Sequence, residues 1–90
     1  MKIENSKRKD KRYVAIFDNG VKVNFGLLGG KTYIDEGNKL KRSNYLARHG
    51  NSNEDWNNPY TAGSLSRFIL WGDYLTLEQN IKSFKKRFNV

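Results

Sequence analysis

The sequence contains no cysteine, one proline, one histidine and no long apolar run. Without thiols there are no disulfide staples and no thiolate metal centres, so a disulfide-stabilised secreted mini-protein is excluded. A lone histidine has no imidazole partner for a metal, and no carboxylate spacing takes its place. No stretch approaches the roughly 18 apolar residues that a membrane-spanning helix needs. Met1-Lys2-Ile3-Glu4-Asn5-Ser6 lacks the apolar region of a secretory signal. The expectations are therefore no metal, no cofactor, no membrane and no evident small-molecule substrate, in a protein that is not secreted.

What is present is charge and aromatic surface. Ninety residues suit one domain, with a core that must be compact. Five Tyr, five Phe and two Trp can supply much of that core, since each buries a large area. The formal charge is +8, gathered in three segments. Residues 1–12 hold six basic groups against two acids, residues 39–50 hold four against none, and residues 77–90 hold four against one. Separated basic segments of this kind suit an anionic partner.

The pattern along the chain predicts an α+β fold. Residues 1–11 are polar and are predicted to be a flexible basic arm, leaving 12–90 as the single domain. Residues 12–18 and 21–25 are rich in β-formers and flank Asn19-Gly20, which predicts a β-hairpin with a type I′ turn. Thr32-Tyr33-Ile34 reads as a short third strand or an extended stretch. Three helices follow. The first runs from about Asn38 to His49, with Leu40, Tyr45 and Leu46 toward the core. The second runs from about Thr61 to Trp71 with a wide apolar stripe of Ala62, Leu65, Phe68, Ile69 and the flanking Leu70. The third starts at a capping box, Thr76 to Gln79, and carries Leu77, Ile81, Phe84 and Phe88 on one face. The predicted core is Tyr13, Ala15, Phe17, Val23, Leu46, Leu65, Ile69, Ile81, Phe84 and Phe88.

Most candidate sites have a plainer account. Gly26-Leu27-Leu28-Gly29-Gly30-Lys31-Thr32 contains Gly-Lys-Thr, but Gly26 is one position too close for a phosphate loop and Thr32 starts no convincing helix, so a tight turn is expected. His49, followed by Asn51, Asn53, Glu54 and Asp55, lacks the second histidine of a nuclease centre and is explained by a helix C-terminus. Ser66 has no neighbouring base in sequence. Trp56 and Trp71 could stack on bases but are better read as core anchors. Arg67 is expected to pair with Glu54, Asp55 or Asp73. No catalytic residue emerges, and an enzyme is not predicted.

Tyr45-Leu46-Ala47-Arg48-His49, Glu54-Asp55-Trp56-Asn57-Asn58-Pro59, the run Thr61 to Trp71 and the closing Lys85-Lys86-Arg87-Phe88 together resemble a family of small basic proteins from giant DNA viruses. The hairpin, Lys11-Arg12-Tyr13 through Asn24-Phe25-Gly26, is similar too. The resemblance spans residues 8–90 and implies a viral origin, in the host cytoplasm or nucleus or the virion interior, without implying an activity. Members of that family often carry tryptophan at the position of Phe68 and a Gly-Tyr-Ser-Asp-like stretch at Gly30-Lys31-Thr32. The resemblance favours a shared framework of Trp56, Pro59, Gly63, Arg67 and Trp71.

The expected function is a basic surface that binds DNA or RNA through phosphates, with little sequence preference. Arm residues Lys7, Arg8, Lys9, Lys11 and Arg12, first-helix residues Lys39, Lys41, Arg42 and Arg48, and C-terminal Lys82, Lys85, Lys86 and Arg87 would carry it. The alternative is a protein-interaction or minor capsid component that docks on acidic viral structural proteins, for instance along an open strand edge. A solvated surface that only confers solubility is the plainest account.

Overall fold

A computed structural model describes residues 1–50 and 55–90. The fold is α+β: a three-stranded antiparallel sheet followed by helices. The strands are β1 (Lys2–Asn5), β2 (Lys11–Ile16) and β3 (Lys22–Leu27), in sheet order β1-β2-β3.

The hairpin of β2 and β3 pairs Tyr13 with Phe25, Ala15 with Val23 and Ile16 with Lys22. Its turn differs from the expected two-residue type I′. Gly20 N–H donates to Phe17 C=O and Phe17 N–H donates to Val21 C=O, both at 2.9 Å, so three residues form the loop. Gly20 takes φ 90°, while Asn19 stays out of the left-handed region and accepts a 3.1 Å hydrogen bond from Val21 N–H. This is a type I turn closed by a glycine bulge, which needs only one positive φ where type I′ needs two.

The third strand lies at the other end of the sequence from the one expected. Lys2–Asn5, assigned by sequence to a flexible arm, pairs antiparallel with β2, Ile3 opposite Ala15 and Asn5 opposite Tyr13. Pairing satisfies β2 edge groups that the hairpin leaves open, and it sets Ile3 on the core side beside buried Met1. Only the connection from Ser6 to Asp10 remains of the arm, and Ser6 N–H is itself tied to Arg12 C=O at 3.1 Å.

Thr32-Tyr33-Ile34 is accordingly not a strand. Tyr33–Glu36 form a single helical turn, α1, with Thr32 at its N-cap. The Asp35 carboxylate accepts from both Thr32 N–H and Thr32 Oγ1, each at 2.8 Å. Gly37 N–H closes the turn on Tyr33 C=O at 2.8 Å. Asn38 then caps α2 (Lys39–Gly50), its Oδ1 accepting from Lys41 N–H at 3.0 Å. Leu40, expected to face the core, is 72% exposed, and Tyr45 is the buried residue of this helix.

Thr61 caps α3 (Ala62–Leu65) through Ser64 N–H at 3.1 Å. The helix then widens into a π-helical turn, Ser66–Leu70, whose closing bond runs from Trp71 N–H to Ser66 C=O at 3.0 Å. The last helix, α4 (Leu77–Phe88), starts at Thr76, which accepts from Gln79 N–H at 3.2 Å. It ends at Asn89 in the left-handed region.

The core lies between the inner sheet face and these helices. Ala15, Phe17, Phe25, Tyr33, Tyr45, Leu65, Ile69, Leu70, Trp71 and Phe84 are buried, with Tyr13, Val23, Leu46, Ile81 and Phe88 partly buried against them. Each fully buried Phe or Leu contributes roughly 1.5–3 kcal/mol. Phe68, Phe84 and Phe88 form a ring cluster with centroids 4.7–6.5 Å apart. Among the described residues, no helix is long and apolar enough to cross a membrane.

Candidate functional site

Three of the chain's arginines are occupied by the fold. Arg12 grips Asp35 with two parallel hydrogen bonds, Nη1 to Oδ2 at 2.7 Å and Nη2 to Oδ1 at 2.6 Å. This ties β2 to α1, and the guanidinium holds the Asp35 carboxyl well below the usual carboxylate range. The same pairing raises Arg12 above its ordinary value.

Arg42 and Arg67 converge on the segment after the π turn. Arg42 Nε donates to Trp71 C=O at 3.2 Å and to Gly72 C=O at 3.1 Å, and its Nη2 reaches Asp73 at 2.8 Å. Arg67 Nη1 donates to the same Trp71 C=O at 3.2 Å. These side chains satisfy carbonyls that a helix end leaves open. Arg67 was expected to bond an acid. Instead it lies 5.3 Å from the Trp56 ring centroid and 4.9 Å from that of Phe68, while Arg42 takes Asp73. Glu54, its other expected partner, lies outside the described residues. Burial lowers Arg67 from its ordinary value, nearby Arg42 adds to this, and its Nε–H is buried without a hydrogen-bond partner among the described residues.

Asn80 completes this knot from α4. Fully buried, it donates through Nδ2 to Ile69 C=O at 2.8 Å and Tyr74 C=O at 2.9 Å, and it accepts from Tyr74 N–H at 3.0 Å. Gly72 is wedged against it: a Cβ there would stand 2.3 Å from Phe68 C=O and 2.6 Å from Asn80 Oδ1.

Trp71 also lines a cleft of about 520 Å³. Its first wall is the end of β3 and the glycine loop, with Leu27, Gly30, Lys31 and Thr32. The second is the C-terminal turn of α2, with Tyr45, Arg48 and His49. Ala62, Gly63, Ser66, Leu70 and Trp71 form the third, and Lys11 enters from β2. No described acidic side chain lines it. Trp71 and Tyr45 stack nearly parallel, centroids 4.4 Å apart at 7°, and His49 continues the stack on Tyr45 at 4.2 Å. Trp71 is thus a core anchor whose surface also reaches the cleft. Leu27 in the first wall is 69% exposed.

The thirteen cations singled out from sequence do not share one depression. Lys11 and Arg48 line the cleft. Lys7 and Arg8 border a hollow of about 240 Å³ on the outer sheet face, with Val14 and Ile16. Lys82 and Lys86 border another of about 360 Å³ on α4. Arg12 and Arg42 are held as described, Lys41 pairs with Glu36 at 2.7 Å, and Arg87 lies 4.3 Å over the Phe68 ring. Lys9, Lys39 and Lys85 line none of these depressions and make no ion pair among the described residues. The expected tight turn is present, Gly30 N–H donating to Leu27 C=O at 3.0 Å, and His49 does lie in the last turn of α2; what sequence reasoning did not foresee is that Lys31 and His49 also line the cleft.

A family of unknown function (DUF5754) matches residues 1–49, more than half of the chain. The chain belongs to that family. The matched part carries the sheet, α1, nearly all of α2 and the cleft's cations Lys11, Lys31 and Arg48, with His49 beside them. The wall from Ala62 to Trp71 lies beyond it. No curated protein and no solved structure matches the chain.

Proposed function

We propose that this protein is a non-enzymatic nucleic-acid-binding domain that holds its ligand through phosphates, with the cleft of Lys11, Lys31 and Arg48 as anchor. The observation that carries the proposal is a concave site ringed by cations with no described acid among its lining residues, in a chain of formal charge +8. Elsewhere in the fold arginines are neutralised by Asp35 and Asp73. Here Lys31 and Arg48 are exposed, with half-buried Lys11 beside them, an arrangement that attracts and orients a polyanion. Exposed Lys7, Lys9, Lys82 and Lys86 extend the positive field outside the anchor. The resemblance to basic proteins of giant DNA viruses agrees with such a role in an infected cell or a virion.

Binding to DNA or RNA of mixed sequence, titrated over a range of salt, tests this. Affinity should fall steeply with salt, and Arg48→Ala and Lys31→Ala should each lower the slope by about 1. No binding at low salt would sink the proposal, and breakdown of the oligonucleotide by purified protein would overturn its non-enzymatic half. A second reading has its own observation: among the described residues β1 leaves an outer edge without a strand partner, beside half-buried Val14 and Ile16 on the outer sheet face. That edge suits a partner strand from an acidic protein. A complex that survives nuclease treatment and is lost on proline substitution in β1 would favour it.

A further inference from the structure

We infer that the cleft takes an unpaired nucleotide, so that the ligand is single-stranded nucleic acid; this rests on the phosphate-binding reading and narrows it. Shape is the first argument. The cations Lys11, Lys31 and Arg48 surround a hollow of about 520 Å³, a size that encloses a small-molecule-sized group. A duplex keeps its bases stacked inside, and protruding helices or ribbons read it through the grooves. A hollow offers it only rim contacts, whereas an unstacked base with its phosphate can enter.

Surface chemistry is the second argument. A phosphate-only site has no use for apolar lining, yet this one has Leu27, Leu70, Tyr45 and Trp71 among its walls. Trp71, Tyr45 and His49 form a continuous ring stack, and all three line the cleft. Single strands are held by this combination of ring surfaces for bases and cations for the backbone, and stacking tolerates any base because each presents a π-face. Both faces of Tyr45 are covered, by Trp71 and by His49, so the stack is held rigid and Tyr45 meets the cleft by its edge, beside Leu27 and Leu70. Ser66 and Thr32 add hydroxyls at the walls that can hydrogen-bond a base edge or a sugar.

Labelled oligothymidylate, oligouridylate and a duplex of equal length, titrated in parallel, test the inference. Single strands should bind at least about tenfold tighter than duplex at the same salt. His49→Ala should erode that preference while leaving duplex binding nearly unchanged, and His49→Phe should restore it. Far-UV circular dichroism checks that both variants fold. Lys82→Ala with Lys86→Ala, in a different depression, should weaken all ligands alike. Equal affinity for single strands and duplex, or a His49→Ala effect of the same size on both, would overturn the inference and leave phosphate binding standing. Failure to bind either would remove the underlying reading. The thymidylate and uridylate arms separate DNA from RNA preference through the 2′-hydroxyl.

Discussion

The knot around Gly72 and the cleft both involve Trp71 and use the same residue type in opposite ways. In the knot, Arg42 and Arg67 aim at main-chain carbonyls, Asp73 neutralises Arg42, and buried Asn80 bonds three backbone groups. In the cleft, Arg48 and Lys31 border open space with no described acid among the lining residues. An arginine's role is thus set by whether the fold brings it unsatisfied acceptors, and charge counted along the chain cannot separate the two. The knot should control stability and the cleft binding.

Gly72→Ala should break the knot outright. Its new Cβ would press on Phe68 C=O and Asn80 in a place where backbone cannot give way, and a loss of about 3 kcal/mol or more is expected, read as a collapse of the melting transition. A normal melting temperature would show that the close packing at Gly72 does not exist. Asn80→Ala should cost about 2 kcal/mol by orphaning Ile69 C=O and the Tyr74 backbone groups, measured by chemical denaturation. Oligonucleotide affinity, measured well below the transition, should stay near wild type; a selective loss of binding would break the division between the two regions.

Acid sharpens it further. The folded Asp35 pKa is depressed by Arg12, so its contribution is full above the ordinary value near 3.8 and drains as pH falls through the lower folded value. The loss should appear below about pH 4. Arg12→Ala should cost about 1 kcal/mol at neutral pH, discounted for partial exposure of the pair, and should flatten that part of the acid profile. Superimposable acid curves for variant and wild type would remove the ion pair as a stabilising contact. The smallest effect on stability should come from the cleft: Arg48→Ala and Lys31→Ala should shift unfolding by less than about 0.5 kcal/mol while lowering the salt slope of binding. A large destabilisation would mean these side chains belong to the fold.

Local cues exposed much of the architecture. The capping Thr76, the i, i+4, i+7 spacing through Leu77, Ile81 and Phe84, and the β-rich runs flanking Asn19-Gly20 define α4 and the hairpin, because each is set by neighbours close in sequence. β1 was hidden because only Ile3 among its four residues is apolar and its stability comes from pairing with β2, 8 to 14 residues away. α1 was hidden because Asp35 closes its cap with a shorter side chain than the usual Glu or Gln, with help from Arg12 across the fold. The cleft was least legible. Lys11, Lys31, Arg48 and Ser66 meet only through tertiary packing, and nothing in their spacing distinguishes them from Arg12 and Arg42, which the same packing turns inward.

The π-helical turn at Ser66–Leu70 bears on how related chains can vary. Deleting one residue there would let the segment relax to an ordinary α-helix and rotate everything after it by roughly 100°. Trp71 would swing away from Tyr45, and Gly72 would leave its slot beneath Asn80. Length is therefore constrained at this point in a way that surface loops are not. A homologue aligned with a gap between Ser66 and Leu70 must have rebuilt its interior, whereas one with a gap near Lys9 need only have shortened a bend.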